Sequence, residues 1–339
     1  LFFVLSGFLI TGILLDAKTK PNYFRNFYAR RTLRIFPLYY LVLFLMFVVA
    51  PMFASLDTDE FREVARHQVW LWTYTMNWYV SFHASLGNDP FSGGWIQTLH
   101  FWSLSVEEQF YLVWPLVVLL TTRRQLLGVC ILCFFGSWAL RVYFSTEQIN
   151  HQPYFFTLCR LDDLAAGAFV AAVARKKGGL ERLAACAPWV TILALWVLLG
   201  VGVEHRHFFQ LASPIQERAY TGFTLLYASL VVFALTANAR GPFRWLMRNP
   251  VLRSYGKYSY AIYIFHWGLS GLVFLKILPV DSLTDWLGSQ NAALIVQVLA
   301  VAILSWCIAW LSWHLYEKHF LKLKRRFYPR DSVQRSGEA

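Results

Sequence analysis

Residues 102–120 read WSLSVEEQFYLVWPLVVLL, an apolar run with two adjacent carboxylates, Glu107 and Glu108, near its start. Carboxylates in such a place can take a proton or orient a base. Successive helix positions differ by about 100°, so one Glu can face a bundle while the other reaches the interface. The alternative is that both reach water at the helix end. Arg31 and Arg34 lie in YARRTLRIFPLYY. At i and i+3 their guanidiniums share a helical face, which suits a phosphate or diphosphate. The other reading is membrane anchoring by snorkelling side chains. Arg160, Asp162 and Asp163 open CRLDDLAAGA, and Arg160 and Asp163 are spaced to pair. With Arg141 they form either an outward-facing polar cluster or an ion pair that supports packing. His266, in KYSYAIYIFHW, falls about 13 Å beyond Lys257 at the helical rise. It could move protons near neutral pH, or be a packed His donating to a carbonyl.

The elements that would hold these residues are membrane helices. The chain has 339 residues, 57% hydrophobic and 15% charged. A soluble domain averages nearer a quarter charged. The pattern predicts an all-α, polytopic integral membrane bundle with segments at 1–15 (partial), 36–54, 104–121, 126–144, 155–174, 188–203, 219–237, 258–278 and 292–314. Basic and non-basic connections alternate along it. Lys18 to Arg34, Arg123–Arg124, Arg175 to Arg182, Arg240 to Lys257 and the tail EKHFLKLKRRFYPR are basic; 55–68, 145–154, 204–218 and PVDSLTDWLGSQN are not. The basic side is therefore expected in the cytoplasm, in a multi-pass protein of the inner membrane. The first helix then runs inward, and one further helix upstream would give ten. Residues 1–320 form the membrane domain and 321–339 a basic cytoplasmic tail, with the last dozen residues expected to be disordered.

The connection 55–103 is the longest. Its VWLWTYTMNWYV is too short and polar to span, and reads as an interfacial or re-entrant piece before the flexible PFSGGW. The net charge of +12 would suggest nucleic acid in a soluble protein. Here the basic residues lie between apolar runs, so orientation explains them and no nucleic-acid partner is expected. Cys130 and Cys133 form a CxxC inside an apolar segment, which reads as packing rather than a metal or redox site. The opening run lacks the basic leader of a signal peptide. No Walker A loop, GxGxxG, HExxH or GxSxG is present. A basic site inside and an acidic site outside suit an enzyme joining a cytoplasmic donor to an outer acceptor, or a transporter.

Several stretches together resemble one family. They are LFFVLSGFLITGILL (1–15), YARRTLRIFPLYY (28–40), WSLSVEEQFYLVWP (102–115), CRLDDLAAGA (159–168), YSYAIYIFHW (258–267) and WHLYEKHFLKLKRRF (313–327). In order and wording the chain is similar to the acyltransferase 3 family, membrane acyltransferases that modify O-antigen of lipopolysaccharide, exopolysaccharide and other exported glycans. The resemblance implies transfer of an acyl group, usually acetyl from acetyl-CoA, to a sugar hydroxyl, with no metal. It implies that Arg31 and Arg34 serve the CoA side, and that SGF and VEEQFY map onto Ser6, Gly7, Phe8 and Glu107 to Tyr111. The family's principal His belongs to the helix before residue 1, and His266 is not carried into that role. In the mechanism this suggests, that His is the general base and Glu107 or Glu108 orients it. Arg31 and Arg34 hold the CoA phosphates. Ser6, Tyr111, Arg160, Asp163 and His266 line the substrate path, and a lipid-linked or surface glycan enters under 55–103.

Overall fold

A computed structural model describes residues 1–53, 58–83, 89–91, 97–147, 152–205, 215–237 and 241–327. PFSGGW, most of the 204–218 turn and the expected disordered tail fall largely or wholly outside them. The helices are α1 (Phe2–Ala17), α2 (Tyr23–Phe44), α3 (Asp59–Arg66), α4 (Val69–Trp72), α5 (Met76–His83), α6 (Phe101–Leu120), α7 (Arg123–Thr146), α8 (Gln152–Phe155), α9 (Leu161–Ala174), α10 (Gly179–His205), α11 (Tyr220–Thr236), α12 (Pro242–Met247), α13 (Pro250–Leu272), α14 (Val280–Leu287), α15 (Gln290–Ser312) and α16 (Lys318–Leu323). Among the described residues there are no strands. Among the described residues the expected membrane segments fall mostly on helix; 155–174 is the exception, broken at Phe156 so that only the 14-residue α9 follows, and six helical stretches are long and apolar enough to cross a bilayer. The protein is thus an all-α, multi-pass membrane protein. VWLWTYTMNWYV breaks into the short α4 and α5 around Tyr74, whose φ is 54°. Neither piece is long enough to cross.

The chain divides into two units. The first comprises Leu1–Tyr23, Tyr74–Leu86 and Trp102–Trp245. Its centre is the 14-residue α9, whose Ala and Gly residues are mostly buried. α1 crosses it closely. A Cβ on Gly7 would lie 1.9 Å from the Leu164 carbonyl oxygen, and one on Gly167 would lie 1.9 Å from that of Val4. Small residues at both crossing points let the backbones touch, the usual way helices associate where lipid removes the hydrophobic incentive. The C-terminal ends of α1 and α9 are tied by charge. Asp16 receives two 2.7 Å hydrogen bonds from Arg175. Lys18 donates to the carbonyls of Val118 (2.7 Å) and Thr121 (2.5 Å), placing a cation at the C-terminus of α6.

The second unit comprises Phe24–Thr73, Gly87–Phe101 and Leu246–Ala339. Tyrosines fasten α2 in it. Tyr39 donates to the Leu71 carbonyl (2.8 Å), Tyr260 to Ile35 (2.6 Å) and Tyr316 to Pro37 (3.3 Å). α13 and α15 are joined where Trp306 donates to Ser254 (2.9 Å) and Tyr255 to the Ala302 carbonyl (3.2 Å). α15 continues through a π-turn at Trp313–Glu317 into α16, making one helical stretch of 34 residues, Gln290–Leu323.

Candidate active site

α6 places Glu107 and Tyr111 one turn apart on one face. α1 brings Ser6 to them. The Ser6 hydroxyl donates to Glu107 Oε1, and Tyr111 donates to Ser6 Oγ at 3.1 Å. Glu107 is 2% exposed, whereas Glu108 is half-buried. One Glu108 oxygen, Oε1, is buried as well, so the 100° offset gives the two acids different neighbours rather than sending one to water, and it is Glu107 that meets Ser6. Ser6 holds its position because Gly7 beside it is pressed on α9. One turn further along α6, Trp114 donates to Thr11 of α1 at 2.8 Å. This second bond fixes the register of α1 against α6.

Gln109 faces another neighbour. It donates to the Tyr74 carbonyl (2.8 Å) and Asn77 Oδ1 (2.9 Å), and accepts from Thr157 (2.5 Å) and Trp78 (3.0 Å). It anchors α6 to α5 and to the turn before α9. Sequence reading assigned it no role. Its place inside VEEQFY was the available signal, since an amide with two donors and two acceptor sites can join three segments.

Arg160 and Asp163 pair at 2.8 Å, the spacing having allowed it. Asp163 also accepts from Thr224 (2.6 Å), and the Arg160 guanidinium lies 4.7 Å from the Tyr220 ring and 5.7 Å from that of Phe3. Arg141 pairs not with them but with Asp162 at 2.7 Å, both side chains fully buried. It also donates to the Cys159 carbonyl (2.6 Å) and Thr221 (2.9 Å). Thus one Asp of the DD pair serves each Arg.

In the second unit, Arg31 (half-buried) and Arg34 (exposed) lie on α2, which is continuous helix through both. The shared-face geometry is therefore present. His266 is half-buried on α13. Its Nδ1 is 2.8 Å from the Tyr263 carbonyl, so that nitrogen carries the proton. This is the carbonyl-bonded His of the sequence alternatives, with Nε2 left as the basic atom. Its ring centroid is 5.2 Å from that of the buried His100, whose carbonyl accepts from Tyr263 at 2.5 Å. Burial first, and the neighbouring His266 second, push the His100 imidazole down to about 3, so it is neutral. Among the described residues no group of three His, Cys, Asp or Glu side chains could hold a metal. The Cys130 and Cys133 thiols are free.

An α-only membrane bundle with a buried serine-bound carboxylate and a separate basic helix end defines a class. The sequence profile described as an acyltransferase domain matches residues 1–314, and the chain belongs to that family. It is 29% identical over 281 residues to the O-acetyltransferase OatA of Staphylococcus aureus, covering 78% of this chain and 44% of that protein. It is 26% identical over 327 residues to the putative peptidoglycan O-acetyltransferase YrhL of Bacillus subtilis, covering 94% and 49%. An uncharacterized protein of Haemophilus influenzae is 30% identical over 187 residues, covering 50% and 72%. The chain spans less than half the length of both acetyltransferases. No solved structure matches it.

Proposed function

We propose that this chain is the membrane-embedded part of an O-acetyltransferase, taking an acetyl group from cytoplasmic acetyl-CoA to a hydroxyl of an exported glycan. The observation that carries this reading is the buried Ser6–Glu107–Tyr111 network in a chain of this family. The hydroxyl oxygen attacks the thioester carbonyl carbon; a C–O bond forms, the C–S bond breaks, and CoA leaves as its thiol. The hydroxyl proton passes to a base and from it to the departing sulfur. Glu107 is then a positioning residue. A buried carboxylate held by the Ser6 hydroxyl, itself fixed by Tyr111, has a set direction, and it steadies a base that becomes cationic during transfer. Arg31 and Arg34 receive the donor's phosphates, since guanidinium pairs match that geometry.

The acceptor is a cell-wall or surface glycan. Peptidoglycan is favoured over O-antigen or exopolysaccharide, because the Bacillus relative carries that word in its name. The alternating loop charges support work at the inner membrane. Membranes holding the intact protein, given radiolabelled acetyl-CoA, should put alkali-labile label on glycan. Label that crosses the membrane but never reaches glycan would make the protein a transporter, and would overturn the reading.

A further inference from the structure

Four helices of the first unit, α7, α9, α10 and α11, enclose a cavity of about 290 Å³. Its walls are almost wholly apolar. The Ser229 hydroxyl, on one of them, is turned to its own helix and donates to the Leu225 carbonyl at 2.9 Å. Cys130, Val170 and Val232 form a buried floor, whereas Ile131, Phe135 and Cys186 at the rim are exposed. The cavity therefore opens sideways between α7 and α10, two helices long and apolar enough to cross a bilayer. What meets the opening is hydrocarbon.

The cavity also lies towards one end of these helices. Leu183 on its wall is about 6 Å along α10 from Gly179, and Cys130 about 10 Å along α7 from Arg123. Arg123 donates to the Arg175 carbonyl at 3.1 Å, so the start of α7 meets the end of α9. That end carries Arg123, Arg124, Lys176, Lys177 and Arg182, all exposed, against Glu181, while Arg175 is engaged by Asp16. It is the basic end, expected in the cytoplasm. Lipid tails are as apolar as leucine, so a chain gains nothing hydrophobic by leaving the bilayer for the cavity. Preference must come from close packing in a fixed space and from the head-group, and a basic rim selects a negative one.

The floor is shared with the candidate active site. Val170 and Val232 pack with Val4 of α1 in one core cluster, and Val4 stands two residues before Ser6. A filled cavity backs α9 where α9 carries α1; an empty one leaves the wall atoms without neighbours.

We propose that the cavity seats one acyl chain of an anionic phospholipid of the cytoplasmic leaflet, its phosphate among Lys176, Lys177 and Arg182, and that this chain braces α9 against α1. The site does not depend on the transferase reading.

The delipidated intact protein in detergent would be given phosphatidylglycerol or phosphatidylcholine with the same chains, and followed by native mass spectrometry and thermal unfolding. One phosphatidylglycerol should stay bound, at least about thirtyfold more tightly than phosphatidylcholine, and should raise the unfolding midpoint. Lys177→Gln combined with Arg182→Gln should remove most of that preference and leave the lipid-free midpoint unchanged. Ala166→Phe on α9 and Ala228→Phe on α11 put a ring where the chain lies. Each should lose the bound lipid and the midpoint rise; if one fails to fold, the other decides. Equal retention of the two lipids by wild type would mean annular lipid and overturn the site. So would phosphatidylglycerol bound undiminished in a folded Phe variant, or an unchanged preference in the Lys177 and Arg182 double variant. A lipid-free dimer that the Phe variants lose would overturn it too, making the cavity the seat of a second copy.

Discussion

At the scale of single residues, the distinction between two neighbouring acids is the most informative detail. Glu107 is buried and bonded by Ser6, while Glu108 is half-buried. Glu107→Gln keeps the shape and removes the charge, so glycan acetylation should fall about 100-fold at normal protein level. Glu108→Gln should stay within about threefold. Equal loss in both, measured with radiolabelled donor, would refute the division. Ser6→Ala should reduce turnover without lowering thermal stability much, because only one hydroxyl leaves a network that Tyr111 can approach. The pair of acids, and the different directions that adjacent helix positions must take, were legible in sequence. Which one Ser6 would meet was not, because that depends on where α1 crosses. The Arg141–Asp162 pair escaped sequence reading for a similar reason: its partners lie on different helices, and no i, i+3 spacing announces it. Removing one partner of a fully buried pair strands the other charge. Asp162→Asn should therefore cost roughly 3–5 kcal/mol, read as a lowered unfolding midpoint in detergent.

At the scale of elements, the contact of α1 with α9 governs where Ser6 stands. Gly7→Ala would put a methyl group 1.9 Å from a backbone oxygen, which no side-chain rotation can relieve. The helices must separate, at about 3 kcal/mol or more. Activity should be lost with stability, whereas Gly136→Ala, where a Cβ meets nothing within 4 Å, should be silent. Enzymatic and thermal assays on the two variants check this together. The Asp16–Arg175 tie at the ends of α1 and α9 adds a pH dependence. The hydrogen bonds from Arg175 hold the Asp16 carboxyl below its ordinary 3.8. A carboxyl so depressed stabilises the fold above that ordinary value and ceases to as pH falls through its own lower one. The Asp16 side chain is 61% exposed, so the effect is under about 1 kcal/mol. Wild type should exceed Asp16→Asn in unfolding midpoint by a constant small margin from pH 7 to pH 5, and the margin should close in stronger acid. The helices themselves were readable from apolar runs, α9 within the segment 155–174, though not its late start at Leu161. What the sequence withheld was that α16 folds onto α2, since a run of Lys and Arg looks equally at home in water.

At the scale of the whole molecule, the alternation of loop charge sets the expected sidedness. Cysteines introduced at Glu60 and at Lys322, in a background lacking the native cysteines, should react with a membrane-impermeant maleimide from opposite faces. Reaction from one common face would reverse the topology and with it the separation of donor and acceptor. The last helical stretch adds a different constraint. Its 34 residues span about 50 Å at the helical rise, against a hydrocarbon core of about 30 Å. A rod that long answers a thinner bilayer by leaning, and leaning swings its far end sideways. That end carries the basic tail seated on α2. The thickness of the host membrane should thus set how closely the tail meets α2: cysteines placed at Tyr28 and Phe327, which line one cavity, should cross-link more slowly in short-chain lipid than in long-chain lipid.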